Sequence, residues 1–181
     1  MKCFVVVLFA VSGALAAAQQ PAAQSAVQPA DALARLAFMQ GDWAGKQNFN
    51  TNGGAAMVGD ATDNVAMGIA GKYLCETLST TLPGRKPTDT RHFLSFDKQS
   101  GKYTAWWFND TSYHPTQFTG ELTGNKLVLS SDPSGAGPIL RATYEGSSPD
   151  KLTFQLEMKS GESWTTLFVT TYLKKAGAAK Q

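Results

Sequence analysis

The sequence predicts an all-β protein, a single up-and-down antiparallel β-barrel of about ten strands behind a short N-terminal helix. Three observations predict it. A short amphipathic run over 31–39 meets Gly41-Asp42-Trp43. The chain beyond, as far as Lys174, alternates polar and apolar residues with a period of two. Gly, Pro, Asn and Asp break that alternation at short intervals. No long helical pattern interrupts the series to carry parallel crossovers, so sequential strands are expected to pair as hairpins. About ten strands in an open sheet would expose two edges; closing the sheet removes them and leaves an interior wide enough for a small ligand. A β-sandwich is the alternative architecture.

The N-terminus reads as a leader rather than part of the fold. Lys2 supplies a positive charge, residues 3–15 are almost wholly apolar, and Ala16-Ala17-Ala18 offers the small residues a signal peptidase requires. Residues 1–18 are therefore expected to be a signal peptide cut after Ala18, and the mature protein to be secreted or periplasmic. The apolar run falls short of the roughly 20 residues that cross a bilayer, so no membrane span is expected once the leader is gone. Cys3 lies near the start of that run, the wrong place for lipidation.

Residues 19–30, rich in Gln, Ala and Pro, hold too few large apolar groups to offset chain entropy and read as flexible. The domain is expected to span 31–175. Asp31 is suited to cap a short helix on which Leu33, Leu36 and Ala37 recur at helical spacing, and Gly41 ends it. Strands are expected over 43–50, 57–67, 72–82, 90–97, 102–109, 115–122, 126–131, 139–145, 151–158 and 163–174. Lys98-Gln99-Ser100-Gly101 and Thr123-Gly124-Asn125 suit hairpin turns, and the Gly-rich Asn52-Gly53-Gly54-Ala55-Ala56 follows the first strand. Residues 176–181 have nothing to bury and read as a frayed tail.

Charge and cysteine content narrow the function classes. The 16 Lys and Arg stand against 14 Asp and Glu, and signal cleavage removes Lys2, which leaves a nearly neutral chain. Nucleic-acid binding depends on clustered Lys and Arg that neutralise phosphates, and no such cluster exists. Cleavage also removes Cys3 and leaves Cys75, which has no internal disulfide partner. Alternation places Cys75 with Tyr73 and Thr77, opposite Leu74 and Leu78. Without a neighbouring His or basic motif it reads as a buried, inert thiol. A chain of this length buries enough core to fold as one domain without a disulfide or a metal.

The helix followed by Gly41-x-Trp43 resembles the start of lipocalins and their calycin relatives, in which the Trp closes one end of the barrel. The stretch Phe93-Leu94-Ser95-Phe96-Asp97, Gly101-Lys102-Tyr103, Trp107-Phe108, Gly120-Glu121-Leu122 and Leu127 resembles domain of unknown function family 1579. That family is bacterial and often exported. The resemblance covers roughly 36–174 and implies a calycin-like barrel; it implies no activity and carries no catalytic or binding residues over to this chain.

Trp43 reads as a structural plug, since a large aromatic at an element junction buries for stability while its indole N–H bonds locally. In Tyr103-Thr104-Ala105-Trp106-Trp107-Phe108 both alternating faces carry aromatics, so one set must point outwards, to be covered by the leader or a partner. The expected ligand-lining residues are Arg91, Phe93, Tyr103, Trp107, Gln117 and Phe154, or their alternation partners if the faces are inverted.

His92 and His114 are the groups that titrate near neutrality or could ligate a transition metal, but neither has HxH, HxxxH or CxxC spacing, so no metal is expected. Some calycin relatives hold haem through one histidine; without CxxCH no haem or other cofactor is expected, and His114 reads as a turn or surface residue. Ser95, Ser112 and Ser134 lack a GxSxG setting, and Asp97, Asp110 and Asp132 read as turn residues. Asp60, Asp63 and Glu76 fall in or beside early strands, where a carboxylate pair across the barrel would require a fold to locate it. Asn109-Asp110-Thr111 matches a glycosylation acceptor, relevant to a eukaryotic source alone. The resulting expectation is a monomeric barrel that binds a small, mainly apolar ligand and is more a carrier than an enzyme. Two rivals are a hydrolase or isomerase with His92 or His114 beside an acidic group inside the cavity, and a packed assembly barrel without ligand.

Overall fold

A computed structural model describes residues 27–50, 57–110, 112–132 and 137–176. The expected signal peptide, residues 19–26 of the leader, the Asn52-Gly53-Gly54-Ala55-Ala56 link and residues 177–181 of the tail lie outside these. The described residues form ten strands: β1 (Gly41–Phe49), β2 (Met57–Gly68), β3 (Tyr73–Thr81), β4 (Thr88–Asp97), β5 (Lys102–Asn109), β6 (Thr116–Thr123), β7 (Lys126–Ser131), β8 (Leu140–Ser148), β9 (Lys151–Ser160) and β10 (Ser163–Lys174). Each pairs antiparallel with its sequence neighbour, and β1 pairs with β10 to close the barrel, which rules out the sandwich. Strands β5, β7 and β10 keep the bounds read from sequence, and Gly101 and Gly124 turn their hairpins at φ of 69° and 57°, a region that favours glycine.

The N-terminal element corrects the sequence reading. Helix α1 runs Pro29–Ala34, and a separate 3-10 turn occupies Ala37–Met39. Pro29 and Ala30, assigned to the leader from sequence, belong to the helix, because proline's fixed φ is preorganised for a first turn. Gln28 caps it without a side-chain hydrogen bond, so Asp31 sits in the first turn rather than at the cap. Ala32, Leu33 and Leu36 are buried while Ala37 is exposed, and Gly41 opens β1 instead of ending the helix.

The helix and turn cover the end of the barrel where β1, β5 and β9 begin. Leu33, Leu36, Met39, Trp43, Leu74, Leu94, Leu127 and Leu152 are buried there. Trp43 donates its indole N–H to the Met39 carbonyl at 2.8 Å, and the Tyr103 hydroxyl donates to the Ala32 carbonyl at 2.8 Å. These bonds satisfy the polar ends of two large buried rings while fixing the cover to the barrel wall. At the opposite end lie the β1–β2, β3–β4, β5–β6, β7–β8 and β9–β10 connections. A bulge between Thr166 and Phe168 in β10 turns Phe168, Thr170 and Tyr172 to the interior.

Candidate functional site

The centre of the barrel holds a polar cluster in an apolar setting. Asp63 stands on β2 between buried Ala61 and Val65, Glu76 on β3 between Leu74 and Leu78, and His92 on β4 beside Leu94. Pleating sends all three inwards. Register then assembles them: Glu76 lies opposite His92, and Asp63 opposite Leu78 next to Glu76. Tyr144 of β8 completes the group from across the barrel, donating its hydroxyl to Glu76 Oε2 at 2.8 Å. Glu76 Oε2 also lies 2.7 Å from Nδ1 of His92, which is 3.2 Å from the Tyr144 oxygen.

Burial sets the charge states. Desolvation, with the neighbouring Glu76 charge second, raises the Asp63 pKa to about 10. Desolvation pushes Glu76 up to about 7 and lowers His92 to about 3, so the imidazole is neutral across the physiological range. A neutral imidazole whose Nδ1–H is donated to Glu76 leaves Nε2 as a bare acceptor. Nε2 of His92 and the indole N–H of Trp107 are buried with no hydrogen-bond partner among the described residues, while the Asp63 and Glu76 carboxyls interact with each other.

His92 stacks on Trp107 of β5, with ring centroids 4.1 Å apart and planes 15° from parallel. Beside this pair, towards the end opposite the helix, lies a cavity of about 180 Å³ walled by Leu78, Trp107, Leu140, Phe154, Leu156 and Phe168, with Thr90, Asn109 and Thr116 as polar points. A neighbouring pocket of about 230 Å³ shares Leu78, Thr90 and Phe168 with it and runs to Arg85 and Lys86 on the β3–β4 connection. Gln47 and Thr80 meet in that second pocket through a 2.9 Å hydrogen bond.

Of the residues expected to line the interior, the structure brings Trp107 and Phe154 into the cavity wall. Tyr103 also faces inwards, but at the covered end, bonded to α1. Three others are corrected. Arg91 is exposed on the outer surface and donates to Thr77 at 3.3 Å; Phe93 packs outside, edge-on to Phe108; Gln117 is exposed on β6. Their alternation partners Thr90, His92 and Thr116 line the cavity instead. The inversion has a physical reason: β4 carries large apolar side chains on both faces, Phe93 outside and Leu94 and Phe96 inside, so hydrophobicity alone does not orient it. Trp106 likewise points out, against Tyr73. Cys75 is half-buried on that outer face rather than fully enclosed, its thiol raised by partial burial.

His114 is exposed in the connection before β6, where its backbone N–H donates to the Ser112 hydroxyl. Asp63 and Glu76, named from sequence as a possible carboxylate pair across the barrel, also carry a signal of their direction: each shares its phase with apolar neighbours two residues away on both sides. Tyr144 carried none, since a tyrosine on an apolar face is ordinary core. Among the described residues no group of His, Cys, Asp and Glu has the geometry to hold a metal ion.

The sequence matches the family described as "Protein of unknown function (DUF1579)" over residues 28–174. No curated protein matches it. Among solved structures the barrel is similar to Rv2717c from M. tuberculosis, with a TM-score of 0.60 and 19% identity over 83% of this chain and 99% of that one. It is also similar to the S-type phycobiliprotein lyase CPES from Guillardia theta, with a TM-score of 0.58 and 8% identity over 80% of this chain and 93% of that one. At these identities the likeness is one of fold.

Proposed function

Since this chain belongs to the DUF1579 family and closes into a calycin-like barrel, we propose that it is an exported, monomeric carrier holding a small, mainly apolar molecule in the half of the barrel away from the helix. One observation carries the reading: a cavity of about 180 Å³ with aromatic and aliphatic walls ends on the polar ring of a buried histidine, His92. Apolar walls supply affinity and a few polar groups fix orientation, the usual division of labour in small-molecule sites. The volume suits a single ring, since an apolar cavity of roughly 150 Å³ takes up benzene. Export rests on Lys2, the apolar run 3–15 and Ala16-Ala17-Ala18.

Native mass spectrometry of the protein purified from its own host, followed by denaturing extraction, tests this reading. A stoichiometric small molecule is expected in the wild type and absent from Leu78→Trp, whose added ring occupies the cavity. Identical ligand-free masses for the two proteins would count against a tightly held ligand.

A second reading, a hydrolase or isomerase, is favoured by a single contact. Nδ1 of His92 at 2.7 Å from Glu76 is the arrangement of a histidine base oriented by a carboxylate. The same extraction separates the two, because a carrier releases one compound and an enzyme releases substrate and product masses together.

A further inference from the structure

We infer that the carried molecule is an anionic amphiphile, whose apolar body lies against Phe49, Leu78, Leu82 and Phe168 while its acidic head group meets Arg85 and Lys86 on the β3–β4 connection. This rests on the carrier reading above and narrows it to a chemical class. The pocket of about 230 Å³ is lined by both kinds of residue at once, large apolar side chains and two exposed cations. Among the described residues neither Arg85 nor Lys86 forms an ion pair. No acidic side chain lines this pocket, or the cavity that shares Leu78, Thr90 and Phe168 with it. Two unneutralised positive charges beside an apolar wall complement a molecule that is apolar along its length and negative at one end. An uncharged ligand would leave both cations unused, and a cationic one would be repelled by them.

The local chain holds these cations in place. Leu82-Pro83-Gly84-Arg85 closes a turn in which the Arg85 backbone N–H donates to the Leu82 carbonyl at 3.1 Å and Gly84 takes a φ of 70°. Proline second and glycine third, at that φ, make a type II turn whose backbone is preset by its residues. Pro87 restricts Lys86 from the other side. A head group that meets charges on a restricted connection costs less ordering than one that meets them on a free loop. The apolar part of the site extends inwards from there. Phe168 lies 5.4 Å from Phe49 and 5.6 Å from Phe154, ring to ring, so a row of aromatic side chains leads from this pocket to the cavity of about 180 Å³. Gln47 and Thr80, buried and bonded to each other, are the polar points on the way.

The test compares octanoate with octanol, equal in chain length and different in head charge, by titration calorimetry at about pH 8, where a carboxylic acid is ionised. A carboxylate is harder to strip of water than a hydroxyl, so preference for octanoate requires cations at the head group. At low salt the wild type is expected to bind octanoate about 5-fold more tightly than octanol, the scale of two solvent-screened charge contacts. High salt is expected to erase that difference. The double variant Arg85→Gln with Lys86→Gln keeps Pro83 and Gly84 to form the turn; it is expected to bind octanol as the wild type does and to lose the preference for octanoate. A second readout needs no variant: the Arg85 Nε–H resonance of the wild type is expected to shift with octanoate and to stay put with octanol. Equal wild-type affinity for the two compounds, a preference that survives the double substitution, or an Arg85 resonance indifferent to octanoate overturns the anionic assignment and leaves the apolar carrier standing. Failure of both compounds to bind overturns the carrier reading itself.

Discussion

At the scale of single residues, the polar cluster makes the protein's stability depend on pH in a direction fixed by burial. Asp63 is raised from its ordinary 3.8 to about 10, so the folded state keeps a proton that the unfolded chain releases. Stability from such a group is complete below pH 4 and is lost as pH rises towards the folded value. Glu76, raised from 4.5 to about 7, acts the same way over its narrower window. His92 acts oppositely, since lowering from 6.5 to about 3 removes stability as pH falls through that interval. Above pH 7 Asp63 dominates these three. Urea unfolding should show wild-type stability falling by about 1.4 kcal/mol per pH unit between pH 7 and 9, the linkage slope of one proton. Asp63→Asn, neutral at every pH, should be nearly flat over the same range. A flat wild-type profile would mean that Asp63 is ionised in the fold. The members of this cluster were visible in the sequence as polar residues in an apolar phase, Glu76 between Leu74 and Leu78 most plainly. Their meeting was not, because Tyr144 lies 68 residues from Glu76 and 52 from His92.

At the scale of elements, neighbouring strands approach closely where two inward positions lack a side chain. A Cβ on Gly120 of β6 would lie 1.8 Å from the Val128 carbonyl oxygen of β7, and one on Gly45 of β1 would lie 2.0 Å from that of Thr171 in β10. Backbone approaches backbone at both points, so no rotamer change relieves the contact. Gly124, in the turn between β6 and β7, has open space around it and a φ of 57°. The two glycines therefore predict different penalties within one hairpin. Gly124→Ala should cost about 1 kcal/mol through its left-handed backbone, whereas Gly120→Ala should cost more than about 2 kcal/mol because the strands must separate. Chemical denaturation of both variants checks this, and equal losses would refute the close-approach argument. Strand number, order and several exact bounds were legible at this scale, since a period of two between turn residues is a local property. The bulge in β10 was not, because it is set by the strands alongside it.

At the scale of the whole molecule, closure is made by the pairing of β1 with β10, in register from Trp43–Lys174 to Phe49–Phe168. Without β10 the main-chain donors and acceptors along β1 and β9 become open edges and the interior opens on one side. A chain ending at Glu162 should lose the folded, cooperatively unfolding species and aggregate, as read by size-exclusion chromatography and circular dichroism. A soluble monomer with native-like spectra would show that closure is not what holds the barrel.

By itself the sequence determined the strand class, the hairpin order and the short helix before Trp43, because periodicity and turn chemistry are local. It also carried the reading of an exported chain in Lys2 and the apolar segment behind it. The tertiary structure alone decided which face of β4 points inwards, and so that His92 rather than Arg91 and Phe93 borders the cavity, whereas on β6 the phase of Phe118 and Leu122 already sets Gln117 outside. Alternation has two equivalent phases wherever both faces of a strand carry large apolar groups. The choice between them is made by the pairing of each strand with its neighbours around a closed ring, which no single segment contains.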